Sequence, residues 1–89
     1  MPDEFYVFTE RTYQRLAEAA VRPLSVTDVL YGQQRVRRHL GASLHVAGRD
    51  RSGAWLAVVL IEGADDEYTV ISARHLDEAE IEAVDLMRG

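Results

Sequence analysis

Apolar residues along this chain recur at alternate positions in some stretches and at three- and four-residue intervals in others, and the switches mark out its elements. Phe5-Tyr6-Val7-Phe8 is aromatic and β-branched and predicts a short first strand. Thr9 then suits the N-cap of a helix running to about Ala20. Tyr13, Leu16, Ala17 and Ala20 form its expected core stripe, while Arg11, Arg15, Glu18 and Arg22 form a stripe expected in solvent. Pro23 ends that helix, because the residue before proline disfavours helical geometry. Ser25-Val26-Thr27-Asp28 reads as the start of a second helix, with Val26, Val29 and Leu30 apolar and Gly32 at its end.

Beyond Gly32 the period shortens to that of strands. Arg35 to Leu40 alternates loosely up to Gly41, and Ser43 to Ala47 alternates more cleanly, with Leu44 and Val46 inward and His45 outward. Asp50-Arg51-Ser52-Gly53 predicts a hairpin turn. Ala54 to Ile61 is continuously apolar, as expected of a central strand covered on both faces. After a turn at Gly63-Ala64-Asp65-Asp66, Tyr68 to Ala73 predicts another strand. Leu76, Asp77 and Glu80 then read as a staple and capping box opening a last helix, with Ala79, Ala83, Val84 and Met87 on one side. The expected fold is α+β: a curved antiparallel sheet of three to four strands with two N-terminal helices and one C-terminal helix.

Length and composition narrow the setting. Eighty-nine residues leave room for one small domain, taken as 1–89, and the 47% hydrophobic and 28% charged content is that of a folded protein. Cysteine is absent, which excludes disulfide scaffolds, thiol nucleophiles and cysteine metal sites. The longest apolar run is too short to span a bilayer, and Met1-Pro2-Asp3-Glu4 carries acid where a secretory signal needs base. A soluble cytoplasmic protein is expected.

The formal charge of −5 conceals a split, and all ten cations are arginine. Residues 11–51 hold eight arginines against Glu18, Asp28 and Asp50, whereas residues 52–89 hold two against nine acids. The basic half suggests an anionic ligand, and the acidic third a solvated helix face or a surface for a basic partner.

The candidate chemistry lies in a few side chains. His39, His45 and His75 titrate nearest neutrality, though each also suits a plain local hydrogen bond, and no pair has metal-ligand spacing. Arg37 and Arg38, with Arg35 beside them, could clamp phosphate or simply keep an edge strand from aggregating. Arg74-His75 could serve phosphoryl chemistry, histidine moving a proton and arginine stabilising phosphorane charge, or Arg74 could pair with Asp77 or Glu78. Trp55 and the four tyrosines could stack on bases, but Trp55 opens an apolar strand and suits packing.

The stretch from Leu44 through Gly48-Arg49-Asp50-Arg51-Ser52-Gly53 to Val59, followed by Val70-Ile71-Ser72-Ala73-Arg74 and an acid-rich helix, resembles BrnT-type toxins. That family belongs to the RelE/ParE-like superfamily of bacterial type II toxin–antitoxin systems. Leu24-Ser25-Val26-Thr27-Asp28-Val29-Leu30 is similar to a further family segment, so the likeness spans roughly residues 24–82. It implies an endoribonuclease that cuts mRNA, free or on the ribosome, needs no metal or other cofactor, and is silenced by a cognate antitoxin. Arg74 matches the arginine of Ile-Ser-Ala-Arg, Arg49 that of Gly-Arg, and His75 stands where lysine is frequent. His39 and His45 would be further acid or base candidates, with Arg37, Arg38, Arg49 and Arg51 holding RNA phosphates. The family's N-terminal Trp-Asp and lysine-rich segments have no counterpart here. The alternative is a non-catalytic member that binds a protein partner or inhibits another essential target. Under the toxin reading, Arg37, Arg49 and Arg74 should converge on one sheet face with the acidic helix elsewhere.

Overall fold

The computed structural model describes residues 5–32 and 35–88, so Met1–Glu4 and the reading placed on them lie outside it. Its elements are β1 (Phe5–Phe8), α1 (Glu10–Glu18), α2 (Pro23–Leu30), β2 (Val36–Leu40), β3 (Ser43–Arg49), β4 (Trp55–Glu62), β5 (Glu67–His75) and α3 (Glu78–Arg88). The strands form one five-stranded sheet in the order β1-β5-β4-β3-β2. β1 pairs with β5 in parallel and every other pair is antiparallel. The sheet is therefore larger than the expected three to four strands, and mixed. Both short runs at its edges, the aromatic one and the arginine-rich one, find a partner.

One face of the sheet is sealed. Leu44, Val46, Leu56, Val58, Leu60, Tyr68, Val70 and Ala73 pack there against Leu16 of α1 and Val26, Val29 and Leu30 of α2. Gly48 belongs to this face, and a Cβ there would stand 3.4 Å from Val29, so its bareness lets α2 lie close. The continuous apolar run of β4 is not covered equally on both sides. Leu56, Val58 and Leu60 are buried, whereas Ala57 and Val59 are half-buried and Ile61 is exposed.

Helix boundaries follow local chemistry. The Thr9 hydroxyl accepts from the Thr12 amide, and the Thr12 hydroxyl accepts from the Thr9 amide. The buried stripe of α1 is Thr12 and Leu16, with Ala19 packed alongside; Tyr13 instead stacks on Phe8 at the surface. α1 stops at Glu18, and Ala20 takes φ 57°. Pro23 then occupies the first turn of α2, where its missing N–H costs nothing, so this helix starts two residues before Ser25. The hairpin turn at 50–53 forms as expected, with Gly53 at φ 92°. So does the capping box of α3: the Glu80 amide donates to Asp77 Oδ1 at 2.9 Å, and the Asp77 amide to Glu80 Oε1 at 3.0 Å.

α1 occupies an unusual place. β1 ends at Phe8, opposite Val70, and the Thr12 hydroxyl donates to the Val70 carbonyl at 2.6 Å. At the other end, His75 Nε2 donates to the Ala20 carbonyl at 3.2 Å. The helix thus continues the line of β1 along the edge of β5, and its outer side stands as a wall beside the second face of the sheet.

Candidate functional site

The second face is set out in rows by the strand register. Arg38, His45, Val59 and Ser72 form one row across β2, β3, β4 and β5. Val36, Ala47, Ala57 and Arg74 form the next, and Arg49 and Trp55 begin a third. Rows on one face lie about 7 Å apart and neighbouring strands about 5 Å apart. His45 and Ser72 are therefore separated by roughly 10 Å, with Val59 between them.

A β-bulge puts Ser72 and Arg74 on this face. Leu60 pairs with Val70 while Val59 pairs with Ser72, so Ile71 is an extra residue on β5. Tyr68 and Val70 point into the core, and strict alternation would send Ser72 and Arg74 after them. Instead the phase slips at Ile71: Ala73 is buried and its neighbours turn outward. The apolar pair Val70-Ile71 followed by the polar Ser72 is the sequence trace of this slip.

Where α1 stands beside these rows it encloses an open cleft of about 800 Å³. Its floor is His45, Ala57, Val59, Ser72, Ala73 and Arg74; its wall is Arg11, Gln14, Arg15, Glu18 and Ala19. Three arginines face one glutamate, around a half-buried histidine and a serine hydroxyl. The small apolar side chains of the floor leave the space, and the cations on its rim favour an anion there.

Arg74 is engaged in the resting molecule. Its Nη1 donates to Glu80 Oε1 at 2.8 Å and its Nη2 to Glu80 Oε2, a two-pronged pair. The hydrogen bond to Glu80 raises the Arg74 pKa, and the same bond, helped by the Asp77 amide, lowers the Glu80 carboxyl to about 2. The partner of Arg74 is thus Glu80, one turn into α3, rather than Asp77 or Glu78.

The expected site residues divide between the faces. Arg74 and His45 line the cleft. Arg38 is opposite His45 in its row, and Arg49 stacks on Trp55 at 5.2 Å on the same face. Arg37 and His39 pair with Val46 and Leu44, so their register places them on the opposite side of edge strand β2. His75 follows Leu56 to that side and reaches Ala20. Arg51 is pinned at the hairpin by Asp28, its amide donating to Oδ2 at 3.1 Å and its Nε lying 3.4 Å from Oδ1. Arg49 and Arg74 therefore share a face, and Arg37 does not. The acidic helix is not elsewhere either: Glu80 meets Arg74 on the second face, and α3 runs on from there to β2. Val84, one turn beyond Glu80, is buried outside the main core, whereas Ala79, Ala83 and Met87 are exposed.

Arg11, Gln14, Arg15 and Ser72 escaped the sequence reading. The charged stripe of α1 looks merely solvated until the helix is known to flank β5. Among the described residues, no group of three or more His, Asp or Glu side chains is placed to hold a metal ion, and no helix is long and apolar enough to cross a membrane.

No family model and no curated protein matches the chain. Among solved structures, the crystal structure of the Brucella abortus ribonuclease toxin BrnT is similar, with a TM-score of 0.66. The match covers 85% of this chain and 100% of that one at 15% identity. The chain has a BrnT-like fold.

Proposed function

We propose that this protein is the toxin of a type II toxin–antitoxin pair and a metal-independent endoribonuclease acting on mRNA, with the cleft beside α1 as its active site. The observation that carries the reading is the meeting of His45 with Arg11, Arg15 and Arg74 around one open cleft, in a fold shared with a ribonuclease toxin. RNA carries its own nucleophile. His45 takes the proton of a ribose 2′-hydroxyl as its oxygen attacks the adjacent phosphorus. The arginines hold the phosphate in place and carry the charge of the pentavalent intermediate. The 5′-oxygen leaves with a proton from water in the open cleft, giving a 2′,3′-cyclic phosphate and a free 5′-hydroxyl. Arg38 and Arg49 extend the cationic track along the same face; Arg37, His39, His75 and Arg51 lie off it. A protein that cuts cellular RNA must be held silent, and a cognate antitoxin covering this cleft is the partner the reading requires.

Incubation of purified protein with single-stranded RNA tests this. Wild type should yield fragments ending in cyclic phosphate and leave DNA of the same sequence whole. His45→Ala should cleave about 10²- to 10⁴-fold more slowly, the usual contribution of a general base. Cleavage by His45→Ala at the wild-type rate would sink the assignment. A second reading, protein binding without catalysis, draws on α3, where Leu86 and Met87 are exposed among acids. Wild-type protein that binds a partner and leaves every RNA intact would favour it.

A further inference from the structure

The Arg74–Glu80 pair has the form of an occupied anion site. Arg74 lines the cleft, yet both of its terminal nitrogens are taken by one carboxylate. Two carboxylate oxygens in the plane of a guanidinium present the same acceptor pattern as two oxygens of a phosphate. Glu80 reaches this position because its own helix holds it: Oε1 also accepts the Asp77 amide, and the Glu80 amide is tied to Asp77 Oδ1. The pair is accessible, with the side chains 58% and 33% exposed, so water and ions reach it and an incoming phosphate can compete.

We infer that Glu80 is an internal phosphate mimic, and that RNA engages Arg74 by exchanging a backbone phosphate for the Glu80 carboxylate. This rests on the reading of the cleft as an RNA site and adds a latch to it. Arg11 and Arg15 capture the strand first; Arg74 joins only when Glu80 lets go. On release, α3 keeps the Asp77 half of its capping box, so the helix start persists while its carboxylate swings free.

Glu80→Gln is the informative variant, because glutamine serves the capping box as glutamate does but carries no charge. The probe is a short single-stranded oligonucleotide with 2′-O-methyl riboses, which binds without offering a nucleophile. Glu80→Gln should bind it roughly two- to fivefold more tightly than wild type, a modest gain in keeping with an exposed ion pair. In an Arg74→Ala background the same substitution should change nothing. An equal gain in that background means that Glu80 acts only as general negative charge, and overturns the inference. If wild type binds and Glu80→Gln binds no better, the latch is refuted while the cleft reading stands. Failure of both proteins to bind at low salt removes the cleft reading and the latch together. Should Glu80→Gln fail to fold, the wild type still decides. Its Arg74 guanidinium NMR signals must shift on titration with the oligonucleotide and stay put with an uncharged nucleoside; unmoved signals at saturation overturn the exchange.

Discussion

Single residues in this molecule show how local hydrogen bonding outweighs burial. Asp50 is half-buried at the start of the hairpin turn, and burial alone would push its carboxyl up. Hydrogen bonds from the Ser52 and Ser25 side chains and from the Ala54 and Ser52 amides outweigh that effect and hold it at about 2, below the ordinary 3.8. A folded-state pKa below the unfolded one adds stability at higher pH. That contribution is complete above pH ~4 and is lost as pH falls through ~2. Asp50→Asn keeps an acceptor in the turn but removes the titration. Melting temperatures of the variant should therefore fall less steeply than those of wild type between pH 4 and 2, with parallel curves counting against the assignment. The turn itself was readable in the sequence, because Asp and Gly at those positions have few other uses. The Ser25 bond was not. Ser25 reads as a helix cap, and only the approach of α2 to the hairpin turns it towards Asp50.

At the scale of elements, capping boxes and alternation were legible and boundaries were less so. Thr9 and Asp77 announced helix starts because their side chains serve amides three residues away. Pro23 was ambiguous: the same ring that ends one helix can open the next, and here it opens α2. Thr12 shows why α1 sits where it does. With β1 finished at Phe8, the Val70 carbonyl needs a donor, and the buried Thr12 hydroxyl supplies it while closing the Thr9 cap. Thr12→Val keeps the shape and deletes all three of the hydroxyl's hydrogen bonds, to the Val70 carbonyl, the Thr9 amide and the Thr9 hydroxyl. It should cost about 1–3 kcal/mol, the usual penalty for stranding a buried acceptor, and lower the melting temperature by about 4–8 °C per kcal/mol. A variant as stable as wild type would show that water or backbone adjustment satisfies Val70.

For the whole molecule, the charge split along the chain becomes a spatial arrangement only after folding. The N-terminal helix, which turns Arg11 and Arg15 to the cleft, and the acidic C-terminal helix both meet the second sheet face, one as the wall of the cleft and the other as the counter-ion of Arg74. Net charge therefore says little about the partner. For an oligonucleotide too short to reach Arg38 and Arg49, with Arg11, Arg15 and Arg74 each neutralising one phosphate, affinity should fall with salt at a log–log slope near −2, from about 0.7 per contact on a single strand. Arg11→Ala with Arg15→Ala should flatten it to near −0.7; an unchanged slope would move the binding track away from α1. The sequence could not disclose the cleft because its walls are distant in the chain, and because β4 is apolar on both faces and hides which one is open. The bulge at Ile71 has a last consequence, for the length of the chain. Ile71 is a surplus residue: without it, Val70 and Ser72 would be neighbours that already pair with Leu60 and Val59, and every other side chain of β5 would keep its face. Loss of a residue is ordinarily ruinous to a central strand. Deletion of Ile71 should leave a folded protein, whereas deletion of Val46 from β3, whose register with both neighbours has no surplus residue, should not, a contrast that circular dichroism and thermal unfolding would read directly.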